Sequence, residues 1–337
     1  MDSKLIIQYE KEIKEQNIDI NKLRPTKSYD HLIENRNASM QALIENEKEL
    51  VKYLKERSCP CCGSNKKVKK VKKDNLNIVE CLECGVLYVN PIFDEQKYKE
   101  NYKSTEYQEI VEKLGESSHN YRVNRFGKER IRFIDDYHDP KLPKRFLDIG
   151  CSTGFTLEAA EPFGWEAVGI ELNPSAAKFG QKKGLNIYNS AIEDIEFKEK
   201  FSAISLFDVL EHLVHPVDIM RKVKDILLPN GNIFIYVPNW NSATKEILGV
   251  SSSHFIWPTH HLTYFNPETL LRFLENQGFE VFHWETQGLD LTDILWYYSE
   301  KEKKDTELLK EHLEVLQFYI NSSGHGKNLR MFAKLKK

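Results

Sequence analysis

Several things are missing from this 337-residue chain. It has no uninterrupted apolar run near the ~18 residues of a membrane span, and its mean hydropathy is −0.54. Neither charge sign dominates: 48 Lys and Arg face 51 Asp and Glu, for a net charge of −3. A global electrostatic pull toward nucleic acid or an anionic membrane is therefore excluded, and any basic patch must be local. The opening stretch "MDSKLIIQYEKEIKEQN" carries charges throughout, so it does not read as a secretory leader. Six cysteines are present, and only Cys151 lies outside the interval 59–84. A disulfide framework spread over the chain is thereby excluded, and a reducing, cytoplasmic compartment is expected.

What is present falls into four parts. Residues 1–57 lack glycine and favour helix. From Tyr29 to Arg57 the apolar residues Ile33, Met40, Leu43, Ile44, Leu50, Val51 and Leu54 recur near helical spacing. That single stripe must lie against something, either the protein's own body or a second copy in a homodimer. Residues 58–91 form a cysteine module, and residues 92–143 read as a helical connector ending in the breaker-rich "HDPKLPK". From residue 144 onward, short apolar runs alternate with amphipathic stretches: "RFLDIG", "EAVGIEL", "FSAISLF" and "GNIFIYVP". This alternation predicts βα units around a parallel sheet, an α/β fold. A helical insertion is expected at about 287–323, before a last strand "NLRMFAKLKK". Its apolar face, Leu309, Leu313, Leu316, Tyr319 and Ile320, offers a packing or dimer surface.

In the cysteine module, Cys59 and Cys62 are two residues apart, as are Cys81 and Cys84, and 18 residues separate the pairs. Each pair is followed by glycine, Gly63 or Gly85. Tight turns of this kind aim backbone amides at thiolates. Four thiolates at this spacing suit a closed, tetrahedral, structural Zn²⁺ site, a zinc ribbon, with Cys61 outside it. The lysine-rich run Lys66–Lys73 between the pairs reads as a solvated hairpin face, with a phosphate grip as the minor alternative. It lacks the interleaved aromatics that stack on bases.

The chemistry begins at "KRFLDIGCSTGFTLEAAEPFGWEAVGIELNP". A strand runs into Asp148, Gly150 and Gly154 bracket a turn, and a helix follows. The next strand ends at Glu171, 23 residues after Asp148. The loop "GCSTG" departs from the G-x-G-x-x-G of dinucleotide sites. Asp148-x-Gly150-x-x-x-Gly154 with Glu171 closing the second strand resembles the class I, Rossmann-like methyltransferases that use S-adenosylmethionine. "SAIEDIEF", "SLFDVLEHLVHP", "LLPNGNIFIYVPN" and "LLRFLENQGFEVFHWE" match later family segments in order, so the resemblance covers about residues 120–337.

That resemblance implies a seven-stranded sheet. It also implies a donor site formed by Asp148, Gly150, Cys151, Gly154, Glu171, Leu172, Ile192, Glu193, Phe207 and Asp208, with the acid on the ribose. Ala191 stands where many members carry an acid toward the adenine. The cysteine module directly before such a domain is similar to bacterial methyltransferases with a zinc-ribbon preface, several of them associated with sugar, glycan or metabolite modification. Ribosomal-RNA members with such a module also exist.

For the acceptor, an already activated methyl requires alignment, exclusion of water and, for a hydroxyl, a base. His212 follows the fourth strand, and His260 and His261 lie in "FIWPTHHLTYFNPETL" with Trp257, Tyr264 and Phe265. His261 is the leading candidate, with His260, His212 and Tyr264 beside it. The expected function is methyl transfer to a small-molecule hydroxyl, on a sugar-nucleotide, glycan precursor or related metabolite. An RNA methyltransferase gripping phosphates through Lys66–Lys73 is the alternative, and a non-catalytic donor-binding protein the third reading.

Overall fold

The computed structural model describes residues 18–23, 44–102 and 115–336. Ile33, Met40 and Leu43 of the N-terminal stripe lie outside the described residues. Within them the expected helix does not continue to Arg57. It stops at Leu50, a single 3₁₀ turn follows over Val51–Tyr53, and Leu54–Lys55 is a short strand, β1. Ile44 and Leu50 are buried in one cluster and Leu54 packs partly against it, while Val51 is 61% exposed.

Two sheets organise the molecule. The small one contains β2 (Lys67–Lys73), β3 (Leu76–Cys81), β4 (Leu87–Val89) and, from far along the chain, β11 (Thr263–Tyr264), in the order β11-β4-β3-β2. Asp74 and Asn75 take φ of 50° and 57° at the β2–β3 turn, the left-handed pair of a tight hairpin that asparagine and aspartate tolerate. β1 pairs with β5 (Ile92–Phe93) beside it.

The large sheet has seven strands, as expected. They are β6 (Arg145–Ile149), β7 (Glu166–Ile170), β8 (Ile187–Tyr188), β9 (Phe201–Phe207), β10 (Leu227–Pro238), β12 (Phe279–Gln287) and β13 (Asn328–Leu335). Their order is β12-β13-β10-β9-β6-β7-β8. β10, β9, β6, β7 and β8 run parallel, and β13 is antiparallel to both β10 and β12. The chain winds from β6 outward to β7 and β8, then returns to β9 on the other side of β6. That reversal opens a crevice at the strands' C-terminal ends, where doubly wound sheets receive ligands.

Both faces of this sheet are dry, so its strands read as continuous apolar runs with period-two sorting. Leu147, Ile204, Ile233, Ile235 and Met331 face one core, against the helices Pro216–Ile226 and Pro267–Asn276. Phe146, Ala203, Phe234, Tyr236 and Phe332 face the other, against Lys128–Asp136 and Phe155–Ala160. Asn266 caps the helix Pro267–Asn276 through a reciprocal bond with Thr269.

The cysteine module is not a separate bead. Cys59, Cys61, Cys81, Val86 and Tyr88 belong to the same apolar cluster as Ile233, Phe265, Leu270 and Phe273. Arg272 donates to the Cys84 carbonyl at 3.0 Å. The inserted helices Asp290–Glu300, Glu307–Glu311 and Leu313–Ser322 precede β13. The first turns Leu291, Ile294 and Leu295 inward and the last Gln317, Phe318 and Asn321, while Leu309 and Tyr319 of the expected apolar face point outward. Among the described residues, no helix is long and apolar enough to cross a membrane.

Candidate active site

The turn after β6 is built to bring backbone close to a ligand. Gly150 and Gly154 adopt φ of 74° and 78°, and Ser152 adopts 52°. A Cβ on Gly150 would collide with Val209, and one on Gly154 with Leu185. Glycine is required at both places by conformation and by space. Asp148, 2% exposed, accepts from Ser205 Oγ at 2.6 Å, and burial pushes its pKa up to about 6.

Glu171 stands at the end of β7. Its Oε2 accepts the Ser152 amide at 2.8 Å and its Oε1 the Asn173 amide at 2.6 Å. Desolvation raises its pKa against those bonds. Each oxygen keeps a second lone pair for a hydroxyl donor. Leu172, next along, is 59% exposed.

Of the other donor-site candidates, the Cys151 side chain turns inward, buried against Gly169, so its backbone alone borders the turn. Ile192 is buried and Glu193 exposed on the loop after β8. Phe207 is buried with its ring 4.4 Å from that of Tyr236, and the Arg130 guanidinium lies 4.3 Å over it. It belongs to the core rather than to the crevice. Asp208, in contrast, is exposed at the strand end with φ of 58°.

The residues present fit the donor: a glycine turn that a Cβ would fill, an acid with open lone pairs at the next strand, and an exposed apolar side chain beyond it. Residues 119–283 match the family model for a methyltransferase domain. The chain is 27% identical over 168 residues to a ubiquinone biosynthesis O-methyltransferase of Glaesserella parasuis, covering 45% of this chain and 71% of that protein. It is 26% identical over 171 residues to one from Idiomarina loihiensis, covering 47% and 70%. This is an S-adenosylmethionine-dependent methyltransferase.

Among solved structures, an S-adenosylmethionine-dependent methyltransferase from Archaeoglobus fulgidus aligns at 21% identity. Its TM-score is 0.43, over 72% of this chain and all of that one. The plantazolicin methyltransferase BpumL in complex with SAH aligns at 14% identity and a TM-score of 0.47, over 71% and 94%.

On the acceptor side of the methyltransferase, the four candidates separate. His212 Nδ1 lies 2.9 Å from the His260 carbonyl, and His261 Nδ1 lies 2.6 Å from the Phe255 carbonyl. A carbonyl can only accept, so each Nδ1 carries the proton and each Nε2 the lone pair. The two rings are 4.8 Å apart. Burial lowers the His212 pKa, which keeps it neutral.

His260 is a different case. It is 2% exposed, stacked 3.8 Å from Trp257 and linked to the Thr259 hydroxyl at 3.0 Å. Tyr264, 2% exposed, packs edge-on to Trp240 as part of β11. Both are buried in the packing of the loop.

Glu211 is the residue that sequence reasoning passed over, because it read as a helix-starting acid. It is 1% exposed, and neither carboxylate oxygen has a hydrogen-bond partner. An ionised carboxylate in that setting costs several kcal/mol unless something compensates it. Burial and the nearby charge of Asp208 push its pKa well up. A ligand atom from each of Glu211, His212 and His261 lies within 4.8 Å of the others. The "E-H" pair and the later "HH" were visible in the sequence, but their convergence was not.

The loop that carries His261 is held by the cysteine module. Thr263 and Tyr264 pair with Tyr88 and Leu87. Arg57 donates to the carbonyls of Val89 at 3.2 Å, Val214 at 3.3 Å and Leu262 at 2.8 Å. It thereby ties the module to the loops bearing His212 and His261.

Behind this loop, Cys59, Cys62, Cys81 and Cys84 place their sulfurs within 4.8 Å of one another. The pairs Cys59–Cys84 and Cys62–Cys81 are at 3.6 and 3.5 Å. Zinc–sulfur bonds of about 2.3 Å in a tetrahedron put sulfurs roughly 3.8 Å apart. The two turns repeat one another: Gly63 and Gly85 donate to the Cys59 and Cys81 carbonyls at 2.9 Å, with φ of 76° and 77°. These four residues fit a structural zinc.

The lysine run faces acids. Lys66 pairs with Glu83, Lys67 with Glu56, Lys70 with Glu80 and Lys72 with Glu47. Lys73 is buried and donates to the carbonyls of Val250 and Ser253.

Proposed function

We propose that the enzyme transfers the methyl group to a hydroxyl oxygen of a small-molecule acceptor. Glu171 would accept the ribose hydroxyls and Leu172 would lie along the adenine. The Asp148–Gly154 turn would hold the amino-acid part of the donor. Bound S-adenosylmethionine supplies an activated methyl group, so the chain has to place the acceptor in line, exclude water and manage one proton. His212 and His261 are the groups proposed for that proton, with Tyr264 and His260 setting the shape of their loop. Cys59, Cys62, Cys81 and Cys84 would hold the structural zinc.

The pairing of the His212 and His261 rings, 4.8 Å apart, carries this reading. Val209, three residues from His212, packs directly on Gly150 and brings the donor and acceptor halves together. The relatives' names, O-methyltransferases, support oxygen as the accepting atom. Within that class a sugar-nucleotide or glycan-precursor hydroxyl remains the proposed acceptor, and an aromatic hydroxyl is the competing one. The ion pairs of Lys66, Lys67, Lys70 and Lys72 weigh against the RNA reading, because a phosphate would first have to displace four carboxylates.

Methyl-labelled S-adenosylmethionine incubated with the full chain and a metabolite extract tests this. Label in a soluble, nuclease-resistant product that fragments as an O-methyl ether is expected, and its mass identifies the acceptor class. Label that nuclease alone releases from precipitable material would replace the proposal with RNA methylation.

A further inference from the structure

The most anomalous group among the described residues is the Glu211 carboxylate, buried with two unpartnered oxygens beside two imidazoles. Two arrangements relieve such a carboxylate: it takes up a proton, or it faces a cation. The neighbouring groups favour the cation. His212 and His261 each commit Nδ1 to a backbone carbonyl, the arrangement by which proteins orient an imidazole that ligates metal through Nε2. The His212 Nε2 lies 3.7 Å from Glu211 Oε1. Asp208 lies close enough for its charge to act on both Glu211 and His212. A protonated acid would need none of this orientation around it.

We propose that Glu211, His212 and His261 bind a divalent first-row cation, with positions left open toward the crevice. Two imidazoles and one carboxylate suit Mn²⁺, Fe²⁺, Co²⁺ or Zn²⁺ rather than Ca²⁺. Bonds of about 2.1 Å would draw the three ligand atoms a little closer together than they now stand. This site is chemically distinct from the four-thiolate centre, which has no open position.

Its role rests on the hydroxyl-acceptor reading above. A hydroxyl bound at the cation loses its proton to solvent more readily, so with the cation bound His212 and His261 serve as its ligands and no longer take the proton themselves. The resulting oxygen attacks the methyl carbon, the C–O bond forms, and the C–S bonding pair returns to sulfur. The products are an O-methyl ether, the neutral thioether S-adenosylhomocysteine and one proton. Charge and atoms balance without a further reactant.

Mn²⁺ is the probe of choice, because thiolates compete for it poorly. The full chain, with its cysteine-bound zinc quantified, is titrated with Mn²⁺ and followed by electron paramagnetic resonance. One saturable Mn²⁺ per chain is expected. Glu211→Gln and His261→Ala are each expected to weaken it by at least about tenfold. Zinc content, circular dichroism and S-adenosylhomocysteine affinity should stay unchanged in both variants, which separates ligand loss from misfolding.

Absence of saturable Mn²⁺ or Zn²⁺ binding beyond the thiolate equivalent would overturn the site. So would binding that survives both substitutions. Methyl transfer unaffected by a chelator that removes Mn²⁺ but leaves the thiolate zinc would overturn the catalytic role. Cation binding by a chain that methylates no hydroxyl would uphold the site and overturn only the acceptor reading.

Discussion

The two halves of the proposed active site are assembled in different ways. On the donor side, Gly150, Ser152, Glu171 and Asn173 come from residues 150–173, and the bonds that fix the Glu171 carboxylate are internal to that stretch. On the acceptor side, His212 and His261 come from separate loops, and Arg57 with β4 holds them from a third part of the chain. The first arrangement needs one local unit to fold. The second needs the whole molecule, including the cysteine module. Donor binding and methyl transfer should therefore be separable by mutation.

Removing the proposed zinc, or Cys81→Ser, should give the largest effect. Structural zinc contributes on the order of 10 kcal/mol to its module, and among the described residues β11 has its strand partner, β4, in that module. A large fall in Tm and loss of transfer are expected, with S-adenosylhomocysteine affinity by calorimetry held within about twofold. Equal loss of donor binding would erase the distinction between the halves.

Glu171→Ala works in the opposite sense. Losing a charge-assisted partner worth about 1.5–3 kcal/mol should weaken donor affinity about 10- to 150-fold. The circular dichroism spectrum should not change, and an unaltered dissociation constant would remove Glu171 from the donor site.

Gly150→Ala probes the seam between the halves. A side chain at a φ of 74° that also strikes Val209 should cost about 1–3 kcal/mol. Here both donor affinity and kcat should fall, and a change in one alone would show that Val209 does not couple them.

Arg57→Lys is a smaller perturbation. It keeps the charge but loses the fork that reaches three carbonyls. About a tenfold drop in kcat with unchanged donor affinity is expected, measured by steady-state kinetics. The smallest effect belongs to Lys69→Glu with Lys70→Glu on β2. Activity and its salt dependence should be unaltered, whereas lost activity with a flattened salt dependence would restore a nucleic-acid substrate.

Much of the fold could be read from patterns of short period. The strands from "RFLDIG" to "GNIFIYVP" and their helices announced the parallel sheet, and the glycine turn with Glu171 marked the donor side. The cysteine spacing marked the ribbon as a local object. Its docking could not be read, because β11 is only two residues long and resembles any loop. Phe207 looked like a crevice residue by position, yet its ring turns to Arg130 and Tyr236. His260 and His261 are neighbours in sequence but face different surroundings, one toward Trp257 and the other toward His212.

The sequence by itself therefore determined the sheet, the glycine turn, the acid that follows it and the two cysteine knuckles. All of these depend on residues within a few turns of chain, where backbone geometry and spacing are nearly the whole cause. Only the tertiary structure decided which histidines converge, that the Glu211 carboxylate is buried beside them without a hydrogen bond, and that Arg57 and β4 hold their loop. Burial and the approach of distant segments depend on how layers pack, and no periodicity in one segment encodes its distance from another.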